Sequence, residues 1–302
     1  MRPEVQEAID LLRSGDLKSP DRLLELIQQT VFSFSMKLCG HRQDAEDTSQ
    51  EVLFKAAEHL PKLEDPSRLT TWLYTVTKNA CLMRRRKAKS APDEMLSLDQ
   101  LMPDREELEP LEKSVLDCPE HLVLREEEAE RVRQAVLRIP VKYRLILTLH
   151  DMEELSTEDL ARVTGLTENT IRVRLHRARL FVRKELSRSR RAQAMLSPAH
   201  KPARRTPAQE RPQSCREMLA ALSDYLDERL DDSVCGELEK HISGCGPCQT
   251  FLQDLKQTIH EVKTYKPESI DPVAAAAIRG IVLKKYEAAL QHAKSASQRL
   301  AA

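Results

Sequence analysis

The sequence predicts an all-α protein, and three observations carry that prediction. Apolar residues recur at the three- and four-residue spacing of an amphipathic helix over long stretches of the chain. No stretch shows the strict polar–apolar alternation that is typical of a half-buried strand. Glycine is scarce, with 7 residues in a chain of 302. A chain of this length has room for two or three small helical domains.

Weakly periodic stretches that contain proline divide the chain into three periodic regions. The first of these linkers spans 91–123 and is acidic, and the second spans 189–213. The domains predicted around them are 1–90, 124–188 and 214–302. The formal net charge is zero, with 48 basic and 48 acidic residues, but the two signs are segregated along the chain. A neutral total of this kind therefore argues little against a nucleic-acid partner.

Residues 1–60 predict two amphipathic helices followed by a third that has an acidic face. The second helix opens at Ser19-Pro20 and ends at Gly40. The third helix places an apolar stripe on one side and acids on the other, one turn apart. The residues of this acidic face are Asp44, Asp47, Gln50 and Glu51. Such a face is most often solvated surface, and otherwise it suits a basic partner.

The next helix, over about 69–87, carries the single tryptophan and ends in a cluster of bases. Cations near a helix C-terminus stabilise it by a few tenths to about 1 kcal/mol each, which accounts for one or two of them. Basic side chains neutralise phosphates and an aromatic ring stacks on an unpaired base, so the cluster favours a nucleic-acid surface. The candidate residues are Trp72, Lys78, Asn79, Arg84 and Arg85.

Residues 1–87 resemble region two of the extracytoplasmic-function sigma factors of bacterial RNA polymerase. The resemblance implies that the acidic face of the third helix binds core polymerase. It also implies that the basic helix, with Trp72 and the bases just named, recognises and opens the −10 element of promoter DNA. Leu82 and Met83 stand where family members often carry an acid, a difference that concerns the preferred −10 sequence.

Residues 130–186 contain a helix–turn–helix pattern. Ser156, followed by Asp159 three residues later, caps the first helix. Gly165 permits the tight turn, and Thr167 caps the second helix. The exposed face of the second helix carries Glu168, Asn169, Thr170, Arg172, Val173, Arg174, His176, Arg177 and Arg179. An ordinary helical hairpin with a polar face produces the same pattern, so the pattern alone decides little.

This helix–turn–helix resembles region four of the same sigma factors, which reads the −35 element. It follows the first unit at the distance that the family leads us to expect. Side chains near the start of a recognition helix usually contact the edges of nucleobases, whereas basic side chains later in the helix usually contact phosphates. The residues expected to read bases are Glu168, Asn169, Thr170, Arg172 and Val173. The residues expected to contact phosphates are Arg174, His176, Arg177 and Arg179.

The last third of the chain carries His241, Cys245 and Cys248 in a His-x3-Cys-x2-Cys pattern. This spacing is typical of structural zinc sites, in which thiolates and imidazole surround one tetrahedral ion. A free cysteine pair beside a surface histidine is the plainer alternative. By spacing alone, Cys215 and Cys235 both remain open as the fourth ligand. One zinc ion is the expected cofactor.

The same pattern resembles the zinc-binding domain of anti-sigma factors, in which an upstream Cys or His completes the site. That resemblance implies Cys215 as the fourth ligand and leaves Cys235 as a spare thiol near the metal and a candidate redox partner. It also implies a last amphipathic helix, over about 273–290, that contacts a sigma factor. The alternative is a helix that merely completes a small bundle, because an apolar stripe says only that something covers it.

The sequence therefore indicates a non-enzymatic sigma factor with its own zinc-binding regulatory domain. Its expected partners are core RNA polymerase, promoter DNA and, within the chain, the sigma regions that contact the C-terminal domain. No signal peptide or membrane-spanning stretch is expected, which favours the cytoplasm. Two alternative functions remain open. One is an interaction protein whose Cys/His domain binds a separate partner, and the other is a switch that senses a metal or redox state through its thiolates.

Overall fold

The structure is a computed structural model, and it describes residues 2–14, 20–60, 63–87, 96–101, 121–196 and 222–301. Over these residues the chain is helical and contains no β-strand, so the all-α prediction is confirmed. None of the helices in this part of the chain is both long and apolar enough to cross a membrane. The protein divides into two compact units.

Twelve helices are numbered here in chain order over the described residues. They are α1 (Pro3–Ser14), α2 (Asp21–Cys39), α3 (Arg42–His59), α4 (Leu69–Lys87), α5 (Leu98–Leu101), α6 (His121–Arg138), α7 (Val141–Leu147), α8 (Thr157–Thr164), α9 (Glu168–Leu196), α10 (Asp232–Gly244), α11 (Gly246–Thr264) and α12 (Pro272–Ala301). A 3₁₀ turn at Pro66–Arg68 leads into α4, and a π-helical turn at Thr148–Met152 follows α7.

The first unit combines Met1–Pro92, Glu153–Leu166 and Lys266–Ala302. Its core is built from the apolar stripes of α1 to α4, as their spacing predicts. The stripe of α3 that opposes the acidic face is buried through Ala45, Val52, Leu53, Ala56 and Ala57. Gly40 ends α2 in the left-handed conformation, with φ of 81°, which a glycine adopts without steric cost.

The C-terminal helix α12 belongs to the core of this first unit. Its buried residues pack in the same apolar cluster as those of α2 and α3. These residues are Ile270, just before the helix, and Ala275, Ile278 and Val282. Gln28 of α2 donates its Nε2 to the Ala275 carbonyl at 3.0 Å and accepts from Arg279 Nη1 at 2.8 Å. The apolar stripe of α12 is therefore covered by α2 and α3.

Helix α8 also lies in the first unit, where it packs on α4. Ser156 caps α8 by accepting from the Asp159 N–H at 3.1 Å, and its hydroxyl donates to Asp159 Oδ2 at 2.7 Å. Gly165 ends the helix with φ of 72°, and its N–H donates to the Ala161 carbonyl at 2.8 Å. The predicted cap at Ser156 and the predicted turn at Gly165 are confirmed, because each depends only on local backbone geometry.

The second unit combines Asp93–Met152 and Thr167–Tyr265. Its centre is α9, a helix of 29 residues that contacts α5, α6, α7 and α11. Thr167 caps α9 as predicted, since its hydroxyl accepts from the Thr170 N–H at 3.3 Å. The buried residues of α9 include Ile171, Leu175, Ala178, Leu180, Val182 and Leu186. A short helical stretch at 222–226 and the α10–α11 hairpin complete the unit.

Two of the predicted boundaries differ from the structure. Helix α9 continues to Leu196, so the first part of the predicted linker at 189–213 is helical, while 197–213 lies outside the described residues. The region 214–302 is divided: its part up to Tyr265 belongs to the second unit and the rest to the first. The reason is that α11 and α12 each carry an apolar stripe, and a non-helical connection at 265–271 lets the stripes pack on different helices.

Candidate nucleic-acid surfaces and metal centre

The acidic face of α3 lies at the surface of the first unit, with all four predicted residues half-exposed. Arg84 of α4 reaches it, with Nη1 3.1 Å from Asp47 Oδ2 and Nη2 3.7 Å from Glu51 Oε2. The predicted polymerase surface and the predicted promoter surface therefore share a border. Ion pairs that remain this open to solvent contribute little stability and exchange easily, so Arg84 is free to change partner.

Along the rest of α4, the predicted promoter surface is partly open. Asn79 is exposed. Trp72 is half-buried, and its ring stacks on His59 of α3 with centroids 5.1 Å apart and planes 14° apart. The side chain of Arg85 lies outside the described residues. An exposed amide beside an aromatic stack can engage an unpaired base.

Lys78, a further promoter candidate on α4, bonds to α8 of the same unit. Its Nζ donates to the Val163 carbonyl of α8 at 2.6 Å. Burial lowers the pKa of Lys78. While α8 lies on α4, this ammonium group is therefore engaged with backbone rather than offered to a phosphate.

The first turns of α9 carry the residues predicted to read bases, and they are open. Glu168, Asn169, Arg172 and Val173 are exposed, and Thr170 is half-exposed. Val173 is 44% exposed, and an apolar side chain in this position suits contact with a thymine methyl group. This end of α9 has the mixture of donors, acceptors and apolar atoms that base readout requires.

The four predicted phosphate contacts on α9 differ in exposure. Arg174 and Arg177 are half-exposed, whereas His176 and Arg179 are buried. The side chain of Arg179 is only 1% exposed. In this arrangement half of the predicted phosphate contacts therefore face other parts of the second unit.

Arg179 is held between two carboxylates. Its guanidinium donates to Asp151 at 2.7 and 2.9 Å and to Asp227 at 2.8 and 3.0 Å. Burial disfavours the charge of Arg179, but the attraction of Asp151, together with the hydrogen bonds to both acids, outweighs burial and raises its pKa. Burial likewise disfavours the charge of Asp151, yet Arg179 keeps the pKa of that carboxyl below its usual value. A charge this deeply buried is stable only when it is paired.

Two further bases of α9 are paired with α11. Asp254 accepts from Arg183 Nη1 at 3.1 Å, Arg190 Nη1 at 2.7 Å and the Ser187 hydroxyl at 2.8 Å. Glu261, two turns further along α11, accepts from Arg190 Nη2 at 2.9 Å with each of its carboxylate oxygens. The Arg183 guanidinium also lies over the ring of Phe251, 4.7 Å from its centroid. The basic face of α9 is therefore covered by acids from the C-terminal third of the chain.

His176 is covered by the short helical stretch at 222–226. Its Nδ1 lies 2.7 Å from the Ser223 hydroxyl, and its Nε2 is buried without a hydrogen-bond partner. Burial, followed by the charges of Arg179 and Arg177, lowers the pKa of His176 to about 4. The imidazole is therefore neutral at physiological pH.

The structure brings together three of the four predicted metal ligands. The ligand atoms of His241, Cys245 and Cys248 all lie within 4.8 Å of one another, and His241 Nε2 is 3.4 Å from Cys248 Sγ. Zinc bonds of about 2.0–2.3 Å separate the ligand atoms of a tetrahedral site by roughly 3.5–3.8 Å. The end of α10 and the first turn of α11 hold these residues, so the donor set fits one zinc ion.

The sequence left two candidates for the fourth ligand, Cys215 and Cys235. Cys215 lies outside the described residues. Cys235 is not part of the described His/Cys cluster, and its thiol points to the Leu230 carbonyl at 3.7 Å.

Sequence reasoning missed the acids that cover α9, namely Asp151, Asp227, Asp254 and Glu261. It also gave no role to Glu153, which is buried in the first unit. One signal was present for the pair on α11, because Asp254 and Glu261 are seven residues apart and lie on one helix face. The other three are separated from their partners by up to 151 residues, and no local pattern announces them.

Comparison with protein families gives three matches along the chain. Residues 23–91 match "Sigma-70 region 2", residues 129–182 match "Sigma-70, region 4", and residues 215–249 match "Putative zinc-finger". The first two cover the helices with the acidic face, the basic cluster and the helix–turn–helix. The third begins at Cys215 and contains the His/Cys cluster.

Several proteins are similar to about 60% of the chain. The ECF RNA polymerase sigma factor SigW of Bacillus subtilis is 27% identical over 188 residues, which cover 62% of this chain and 98% of that protein. The RNA polymerase sigma-H factor of Pseudomonas aeruginosa is 29% identical over 190 residues, with coverages of 60% and 93%. The ECF RNA polymerase sigma-E factor of Escherichia coli K12 is 27% identical over 178 residues, with coverages of 58% and 90%.

One solved structure is also similar, the sigma factor RpoE in complex with the anti-sigma factor NepR from Bartonella quintana. It is 23% identical, has a TM-score of 0.39 and covers 54% of this chain and 93% of its own. A superposition this loose adds nothing to the assignment, which rests on the family matches and the sequence relatives. The chain therefore contains a sigma-70 region 2, a sigma-70 region 4 and, in its C-terminal third, a region that matches a zinc finger, and its relatives are RNA polymerase sigma factors of the ECF type.

Proposed function

We propose that this sigma factor binds core RNA polymerase, reads the −35 and −10 elements, and is held inactive by its own C-terminal region. The observation that carries the regulatory part is the set of acids from residues 227–261 on the bases of α9. A carboxylate on a guanidinium occupies the bonds that a DNA phosphate would take.

In the second unit, the proposal rests on competition for α9. Three bases of α9 form ion pairs with three acids: Arg179 with Asp227, Arg183 with Asp254, and Arg190 with Asp254 and Glu261. A duplex cannot reach these guanidinium groups until the acids leave. The first turns of α9 remain open, so the residues predicted to read bases are exposed. The guanidinium groups of Arg179, Arg183 and Arg190 are covered, whereas Arg174 and Arg177 stay half-exposed.

In the first unit, the proposal rests on the position of α12. This helix packs against α2 and α3, and α3 carries the predicted polymerase residues Asp44, Asp47, Gln50 and Glu51. Each fully buried aliphatic side chain contributes about 1.5–3 kcal/mol, so residues such as Val282 make α12 a firmly attached element. We propose that α12, because it is packed on α3, restrains the binding of polymerase to the acidic face of α3.

The metal cluster would support this arrangement by fixing the α10–α11 hairpin. His241, Cys245 and Cys248, completed by Cys215, would hold one zinc ion with no ligand position left for water. Zinc supplies structure rather than chemistry in a closed site of this kind. Because α11 begins within the cluster, loss of the ion would loosen the helix that carries Asp254 and Glu261.

The test compares the full chain with a chain ended at residue 205, using core polymerase and a promoter selected from random DNA by the shorter chain. We expect the shorter chain to give more transcript and tighter DNA binding. Equal or lower transcript from the shorter chain would contradict self-inhibition. Treatment of the full chain with a zinc chelator should move its output toward that of the shorter chain.

The cluster of thiolates also favours a second candidate function, that of a switch that responds to a metal ion or an oxidant. Thiolate ligands bind soft ions tightly, and Cys235 lies on α10, the helix that also carries His241. Titration of zinc, copper or peroxide against promoter output distinguishes a sensing site from a purely structural one. Capture of an outside protein by residues 205–302, with no effect on transcription, would instead favour an interaction protein.

A further inference from the structure

We propose that Glu153 and its three donors form a second restraint on this sigma factor, one that does not depend on the metal or on α11. This group, here called the Glu153 clasp, consists of Glu153 with Arg2, Lys37 and Tyr74. It holds α8, the first helix of the helix–turn–helix, on the helices of region two. The inference rests on the sigma factor function but not on regulation by the C-terminal region.

The clasp is a complete hydrogen-bond shell around one buried carboxylate. Glu153 accepts from Arg2 Nε at 2.7 Å and Nη2 at 3.1 Å, from Lys37 Nζ at 2.8 Å and from the Tyr74 hydroxyl at 2.7 Å. The side chain of Glu153 is 0% exposed and that of Lys37 is 3% exposed. The donors are Arg2, which immediately precedes α1, Lys37 of α2 and Tyr74 of α4, so one acid ties this part of the first unit to the segment that precedes α8.

The chemistry of the clasp suits a contact that opens. A buried ion pair gains Coulomb energy but loses the hydration of both charges, and the two effects nearly cancel. Burial lowers the pKa of Lys37 despite the adjacent Glu153, which reports that cost. When the segment leaves, both charges regain water. An apolar contact of the same size would be harder to separate, because its exposure to water has no compensating gain.

The far end of α8 is fixed as well. Lys78 of α4 donates to the Val163 carbonyl near the C-terminus of α8 at 2.6 Å. The helix is therefore held at both ends, by Glu153 before its first turn and by Lys78 at its last. Lys78 is also a predicted −10 contact, so the same bond removes a promoter residue from use.

This arrangement is incompatible with reading both promoter elements. The −35 and −10 elements lie roughly 25 base pairs apart, or about 85 Å along B-DNA at 3.4 Å per pair. Helix α8 spans about 12 Å at 1.5 Å per residue and lies directly against α4. A helix–turn–helix at the −35 element cannot keep its first helix on the −10 helix, so the clasp must open when the protein engages a promoter.

The test is hydrogen–deuterium exchange of the full, zinc-loaded chain, comparing Glu153→Gln with Glu154→Gln. Glu154 is the next residue, carries the same charge and is exposed, which makes it a matched control. We expect exchange of the amides in Thr157–Thr164 to rise about tenfold or more in Glu153→Gln, because removal of one partner leaves buried charges uncompensated. Exchange in α2 and α3 should stay as in the parent chain, and Glu154→Gln should change neither.

Two outcomes would overturn the proposal. Unchanged exchange of α8 in Glu153→Gln means that the carboxylate does not hold the helix. A uniform rise through α1–α4 means that Glu153 only stabilises the fold of the unit. If Glu153→Gln does not fold, the exchange of α8 is measured in Tyr74→Phe instead, because this substitution removes one hydrogen bond to Glu153 and leaves the charges paired. That variant should raise exchange of α8 several-fold, and no change there would count against the clasp.

Chelation separates this proposal from the proposed function. Zinc removal should leave the exchange of α8 unchanged while it loosens α11. If truncation at residue 205 has no effect on transcription but Glu153→Gln still frees α8, regulation by the C-terminal region fails and the clasp stands. If α8 is freed by chelation as well, the clasp is not an independent restraint.

Discussion

The C-terminal third of this sigma factor is attached to its two sigma regions by opposite kinds of contact. In the second unit α11 is held on α9 by charges, with Asp254 and Glu261 on Arg183 and Arg190. In the first unit α12 is held on α2 and α3 mainly by apolar side chains, together with the two hydrogen bonds of Gln28 and an ion pair between Arg279 Nε and Asp21 Oδ1 at 3.6 Å.

The difference indicates which attachment yields first. Ionic contacts lose strength with salt and can be exchanged for phosphates, so DNA itself competes for α9. Apolar contacts have no such competitor and yield only to a partner that covers the same surface. We infer that DNA opens the second unit and that polymerase, or a protein surface like it, acts on the first.

The largest expected effect comes from breaking the apolar attachment. Val282→Asp places a charge where the side chain is fully buried, at a cost on the order of 3–5 kcal/mol. We expect α12 to leave α2 and α3 and the affinity for core polymerase to rise, as measured by fluorescence anisotropy. The control is Ile281→Asp, one position earlier on the same helix, where the side chain is 43% exposed and the charge meets water. Equal effects of the two variants would show that α12 does not restrain polymerase binding.

The sequence predicted what depends on short spacing. The caps at Ser156, Gly165 and Thr167, the acidic face of α3 and the His/Cys cluster are each decided within a turn or two of helix, and the structure has each of them. The cluster could be identified because metal ligation imposes a fixed spacing that few other functions require.

What the sequence did not predict depends on distant partners. The apolar stripe on α12 indicated only that another element covers this helix. In the structure the covering elements are α2 and α3. Glu153 stands in a run of two acids and looks like surface, yet it is the buried acid on which Arg2 and Lys37 converge. Arg179 has the pattern of a phosphate contact, and its burial depends on Asp227, 48 residues away.

A smaller effect is expected from weakening the ionic attachment. Asp254→Asn removes the charge that pairs with Arg183 and Arg190, and hydrogen bonds to charged groups contribute about 1.5–3 kcal/mol. We expect α11 to dissociate more readily from α9 and the affinity for promoter DNA to rise, with a steeper salt dependence because more bases meet phosphates. Glu237→Gln, an exposed acid on α10, changes the net charge equally and should leave the affinity unchanged. If both variants bound promoter DNA with the same affinity, the change in net charge alone would explain the effect, and the contact of Asp254 with α9 would not.

The smallest effect concerns pH and sharpens the same comparison, since only the second unit should respond. The contact at His176 requires a neutral ring, with a pKa lowered to about 4 by burial and by Arg179 and Arg177. A histidine released into water titrates near 6.5. Below that pH the open state therefore binds a proton, whereas the closed state remains neutral. The closed contact is therefore fully stable above pH 6.5 and loses stability as the pH falls toward 4, by about 1 kcal/mol between 6.5 and 5.5. Exchange protection of residues 222–226, corrected for intrinsic rates, should fall over that range, while protection of α12 holds. His176→Gln should abolish the dependence, and His260→Gln, at an exposed histidine on α11, should retain it. Dependence that survives in His176→Gln would assign the response to another group.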